Sequence, residues 1–139
     1  MMILLDTNVL SETMYPSPEP TVMAWIDSQA PDGLWTCTIV VAEVLSGLDL
    51  MPKGRRQLQL REKAEYMFKT LFANRICSFD QSAARAYGWI LSNRRAIGHP
   101  IDEMDALIAA TALSTGAILA TRNTSDFEQC GIQLVNPWM

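Results

Sequence analysis

Apolar residues gather in five short runs along the chain: MILL (2–5), LWTC (34–37), RICSF (75–79), AILAT (117–121) and IQLV (132–135). Each is bounded by turn-forming or polar residues, the pattern of a buried strand. The stretches between them carry helical patterns. PTVMAWIDSQ (20–29) opens on Pro20, a favoured first-turn residue, and Pro31 closes it. IVVAEVLSGLDLM (39–51) follows Thr38, a good N-cap, and QLQLREKAEYMFKTLF (57–72) is amphipathic. DQSAARAYGWILSNRRA (80–96) starts at a capping Asp80, and DEMDALIAATALST (102–115) stops at Gly116. Strands that alternate with helices predict an α/β fold with a mostly parallel sheet covered on both faces.

Composition narrows this picture. The 139 residues suffice for one domain, and no linker, repeat or low-complexity tract divides them. Hydrophobic residues make up 49% and charged residues 19%, the balance of a soluble globular protein. A net charge of −4 opposes electrostatic coating of nucleic acid, though it leaves room for a local basic patch. Cys37, Cys77 and Cys130 form neither a disulfide framework nor a C-x-x-C pair, and a single histidine disfavours zinc. The expectation is a reduced, cytoplasmic protein. The first apolar run breaks at Asp6, unlike a signal peptide, and no stretch approaches the ~18 apolar residues of a membrane span.

In parallel sheets, ligands bind beyond the carboxyl ends of the strands, where strand order reverses. Acids stand at several of those ends. Asp6 follows the first strand, Asp126 follows AILAT, Glu43 lies in the helix after LWTC, and Asp105 lies in the first turn of the helix opened near Asp102. Taken singly, Asp6, Asp105 and Asp126 are explained as well by helix capping as by chemistry. Asn8 stands closer than Asp6 to the expected cap of the helix that begins near Val9, which leaves Asp6 free. Glu43 is flanked by apolar neighbours, where a merely solvated glutamate is less natural.

Together the acids point further. Two carboxylates 4 Å apart repel by ~1 kcal/mol in water and by ~4 kcal/mol at an effective dielectric of 20. Only Arg122 lies beside any of the four in sequence. A hard divalent cation is the simplest counter-charge, and all-oxygen ligands favour Mg²⁺ or Mn²⁺. Helix N-termini beneath Asp105 and Asp126 are expected to hold those carboxylates ionised.

The segments LLDTNVL, AEVLSGL, DALIAATA and TRNTSDF, in this order, resemble the PIN-domain ribonucleases, most closely the VapC/FitB-like toxins of type II toxin–antitoxin modules. The resemblance runs from Leu4 to Phe127. It implies a three-layer PIN fold over residues 1–139 and a metal-dependent endoribonuclease that hydrolyses RNA phosphodiester bonds. It also implies an acidic Mg²⁺/Mn²⁺ site formed by Asp6, Glu43 and Asp105. Many relatives carry a fourth acid where this chain has Asn123, so Asp126 is the better candidate for that place here, with Asn123 the alternative. Thr7, Asn8 and Thr121 match supporting polar positions, and Asp102 and Glu103 are extra acids near the third motif.

Asp6 and Asp105 are then the main expected ligands, with Glu43 and Asp126 ligating or orienting water and Glu43 able to accept a proton. The family also implies a homodimer and an antitoxin whose C-terminal segment lies near the active site. Of the apolar residues Met14, Tyr15, Met23, Trp25 and Met51, most are expected in the core and some in the groove that takes that segment or a second subunit. The basic clusters Lys53–Arg56 and Asn93–Arg95 fit solvated helix ends, or a rim for RNA backbone. His99 is assigned no catalytic role. Two rivals stand beside the nuclease. One is a catalytically degenerate PIN domain that binds RNA or a partner; the other is phosphoryl transfer through Asp6 as nucleophile, for which position 8 would be expected to be Asp rather than Asn.

Overall fold

The structure, a computed structural model, describes residues 1–139. Five strands form a wholly parallel sheet in the order β3-β2-β1-β4-β5. At its centre is β1 (Ile3–Leu5), buried on both faces, which is why its sequence reads as unbroken hydrophobics. It pairs with β2 (Leu34–Cys37) on one side, Ile3 opposite Leu34, and with β4 (Ile118–Ala120) on the other, Leu5 opposite Ala120. The edges are β3 (Ile76–Cys77) and β5 (Leu134–Val135), two residues each and shorter than the five- and four-residue runs that predicted them. The flanking residues of those runs lie outside the ladder.

The chain moves outward from β1 to β3 through four helices: α1 (Thr7–Met14), α2 (Pro20–Asp27), α3 (Thr38–Leu50) and α4 (Arg55–Tyr66). It returns through α5 (Gln81–Ala96) and α6 (Glu103–Thr115), which pack on each other, and lays down β4 on the far side of β1. Parallel crossovers keep one hand, so this reversal of direction places the two helix groups on opposite faces. The helix α6 explains its own sequence. Ala106 and Ile108 through Ala112 are all buried, so the helix is apolar around most of its circumference and its small side chains allow close packing. Gly116 ends it in a left-handed conformation, φ 72°.

Two sequence expectations need correction. Thr38 is the first residue of α3 rather than its cap; Cys37 holds the cap position, and Thr38 Oγ1 instead accepts from the Phe79 amide at 3.4 Å. The helix expected over 57–72 starts at Arg55 and departs from α geometry at Met67. From Met67 to Leu71 the turn widens to a π-turn, which brings Met67 and Phe68 into the core side by side. The cysteines are free as expected: Cys37 and Cys130 are buried and Cys77 partly so. No helix is long and apolar enough to cross a membrane.

Candidate active site

Strand order reverses between β1 and β4, and the acids singled out in the sequence gather around the carboxyl ends of these two strands. The ladder extends one residue past each strand: the Asp6 amide donates to Ala120 O at 3.0 Å, and the Thr121 amide to Val135 O at 3.0 Å. Asp6 is therefore held by the sheet before its side chain makes any contact. The residue is only 5% exposed. Oδ2 accepts from Thr121 Oγ1 at 2.7 Å across the reversal, and Oδ1 accepts from the Thr7 amide at 2.8 Å.

That second bond corrects the capping assignment. Helix α1 begins at Thr7, and Asp6 is its N-cap, while Asn8 lies inside the first turn. Asn8 serves the site differently: Nδ2 reaches Thr121 Oγ1 at 3.5 Å and Oδ1 accepts from the Arg122 amide at 3.3 Å. The Thr121 hydroxyl also accepts from the Asn123 amide at 3.1 Å, so one oxygen joins Asp6, Asn8 and the start of the following loop. Thr7 carries the network onward, its Oγ1 donating to Glu43 Oε1 at 2.6 Å from α1 to α3. Glu43 is partly buried, as its apolar neighbours suggested.

Asp105 lies in the first turn of α6, whose N-cap is Asp102; Asp102 Oδ2 accepts from the Met104 and Asp105 amides at 3.1 and 3.4 Å. Asp102 thus has a structural duty, and the exposed Glu103 beside it heads the helix. Asp126 is exposed, in a single 3-10 turn (Thr124–Phe127) anchored by buried Phe127. Its amide donates to Asn123 O at 3.0 Å.

Electrostatics tie the four acids together. Burial pushes the Asp6 carboxyl up, its bonds to Thr121 and Thr7 oppose that, and the charges of Glu43 and Asp126 raise it again. Asp105 is pushed up to about 6, first by burial and then by Asp6, Asp102, Asp126 and Glu43. The N-terminus of α6 favours an anion at this position, while desolvation and four neighbouring acids raise the carboxyl above its ordinary range. No basic residue relieves it. Arg122 lies over the Trp138 ring, 5.1 Å from its centroid, and the two ion pairs of the protein, Arg61–Asp49 and Lys69–Glu65, involve none of the four acids.

The donor set suits a hard divalent cation, being all carboxylate oxygen with a surplus of negative charge. No three His, Cys, Asp or Glu side chains form a ready-made cation cage in this arrangement. The acids influence one another across the site; Glu43 and Asp105 are partly exposed and Asp126 is exposed, so all three are open to solvent.

The apolar residues near the N-terminal helices divide between a cleft and the core. Met14, Tyr15 and Met51 line a cleft of about 180 Å³ that also borders Thr7 and Glu43. Met23 borders a separate apolar cavity of about 280 Å³ beneath α2, and Trp25 packs on the core. Of the basic clusters, Lys53, Arg55 and Arg56 are exposed as read. Arg94 is not: it is buried, and sequence reasoning missed it. A signal was present, since Ala83, Ile90 and Arg94 recur at helical spacing on the inward face of α5.

Residues 3–132 match the PIN domain family. The chain is 47% identical to the plasmid stability protein StbB of Pseudomonas syringae pv. tomato over 99% of both chains. It is 40% identical to the VapC ribonuclease Y4jK of Sinorhizobium fredii, covering 99% of this chain and 98% of that one. Among solved structures, FitAB bound to an IR36 DNA fragment contains a chain that superposes with a TM-score of 0.93 at 39% identity, with 99% of this chain and 96% of that chain covered. With the match spanning nearly every residue and the acids grouped at the strand-order reversal, this chain belongs to the PIN domain family, on its VapC- and FitB-like branch.

Proposed function

We propose that this protein is the toxin of a type II toxin–antitoxin module and acts as a Mg²⁺- or Mn²⁺-dependent endoribonuclease. The observation that carries the reading is the grouping of Asp6, Glu43, Asp105 and Asp126 at the strand-order reversal with no basic side chain to offset them. The naming of relatives as VapC ribonuclease and toxin FitB supports it.

When bound, the cation neutralises charge on phosphate oxygens and lowers the pKa of an attacking water. Asp6 and Asp105 would hold it, with Asp126 completing the set. The Thr121 hydroxyl fixes the Asp6 carboxylate, so that this ligand needs no rearrangement. Glu43 has Oε1 committed to the Thr7 hydroxyl, which leaves Oε2 to accept a proton from water as general base. The apolar cleft beside Thr7 and Glu43 would receive the antitoxin's C-terminal segment, and other apolar surface a second toxin subunit, in the cytoplasm.

The test is incubation of purified protein with structured RNA and with DNA in Mg²⁺, Mn²⁺ or EDTA, beside Asp6→Asn and Asp105→Asn. Metal-dependent cleavage of RNA that both substitutions abolish is the expected result. Equal cleavage by the variants assigns the activity to a contaminant and overturns the reading. Phosphorylation of Asp6 would support the nucleophile rival instead. Neutralisation by the product of an adjacent reading frame tests the toxin assignment.

A further inference from the structure

Arg94, near the end of α5, is only 6% exposed and makes no ion pair. Its Nε donates to His99 O at 2.7 Å, and its Nη1 to Asp126 O at 2.8 Å and Glu128 O at 3.0 Å, with Cys130 Sγ at 3.5 Å. A buried cation is costly unless hydrogen bonds compensate, and a lysine could not span these carbonyls as a planar fork does. The partners belong to two separate segments. One, around His99, leads into Asp102 and the first turn of α6, where Asp105 lies. The other holds Asp126 in its 3-10 turn.

Behind the contact is a cavity of about 300 Å³ bordered by Arg94, Ile97, His99, Ser125, Glu128 and Gln129. The Asp126 side chain is exposed and has no hydrogen-bond partner in the protein, so the carbonyl bond from Arg94 is the polar contact from outside its own turn that locates it.

We propose that Arg94 is a positioning residue that fixes Asp126 relative to Asp105 and thereby sets the cation affinity of the acid cluster. The inference rests on reading those acids as a cation site. It is tested by titrating Mn²⁺, without RNA, into wild type, Arg94→Gln, Arg94→Lys, Asp126→Asn and the Arg94→Gln/Asp126→Asn double variant. Free Mn²⁺ is followed by its paramagnetic resonance signal and folding by circular dichroism. Arg94→Gln should weaken Mn²⁺ binding about 10-fold while the helical signal is kept, the effect of losing support behind a ligand. Arg94→Lys should recover part of the loss, and in the Asp126→Asn background Arg94→Gln should weaken binding no further. Unchanged affinity in Arg94→Gln overturns the proposal, as do additive losses in the double variant, which would make Arg94 packing support alone. If Arg94→Gln does not fold, Arg94→Lys decides by the same criterion. Failure of the wild type to bind Mn²⁺ is a distinct outcome, which removes the cation reading of the acids and this inference with it.

Discussion

Asp6 and Asp126 are placed by opposite means. Asp6 is buried, its amide completes the sheet ladder, and both carboxylate oxygens are hydrogen-bonded. Asp126 is exposed on a one-turn helix, and its backbone rather than its side chain receives the guanidinium of α5. The first acid is part of the core; the second is lent to the site by a neighbouring loop. Preorganisation should therefore be concentrated at Asp6, with adaptation to cation and substrate concentrated at Asp126 and the partly exposed Asp105 and Glu43.

Substitutions can break this comparison. Asp6→Asn should reduce RNA cleavage by more than ~100-fold, beyond the 10–100-fold typical of residues that only support a ligand. Asp126→Asn should cost less in the same assay, and an equal or larger loss would reverse the ranking of the two acids. Thr121→Val removes the hydroxyl that joins Asp6, Asn8 and the Asn123 amide, and about a 10-fold loss in cleavage is expected. Asn123→Ala leaves the backbone bond in place and should be nearly silent.

The smaller effects concern stability. Asp105 binds its proton more tightly in the folded protein, at about 6, than at its ordinary value of 3.8. Its favourable contribution is complete below about pH 4 and is lost as pH rises through about 6, so the metal-free protein should have a falling Tm over that interval. Asp105→Asn should flatten the decline and raise the Tm of metal-free protein above pH 7. A Tm that climbs through this interval in wild type but not in the variant would contradict the carboxylate crowding. Asp102→Ala removes the α6 cap and should cost about 1 kcal/mol in denaturant unfolding.

Much of this arrangement was legible in the chain. Ile3–Leu5 read as a buried strand because a parallel strand covered on both faces has no polar side. Asp6, Glu43 and Asp105 stood out because the strand-end rule says where to look. What stayed hidden depended on three-dimensional partners. Asp6 is the helix cap and also stands among the grouped acids, a combination that a choice between cap and catalyst did not anticipate. NRR read as a basic cluster because adjacency in sequence says nothing of which residue faces inward, and only the register of α5 separates Arg94 from Arg95. The edge strands are too short for a residue count to delimit, since the neighbouring strand decides where pairing stops.

The ladder bonds of Asp6 and Thr121 have a consequence for how the molecule breathes. An amide bonded into the central sheet exchanges its hydrogen only when that part of the sheet opens. The carboxyl ends of β1 and β4 therefore share the fate of the global fold, while the 124–127 turn is tied to it through Phe127 and the Arg94 contact rather than through the ladder. Substitutions at the exposed positions of that turn, Ser125 and Asp126, can retune the site with little effect on folding, whereas Phe127 of the same turn belongs to the core and a change that loosens Asp6 also strains the centre of the sheet.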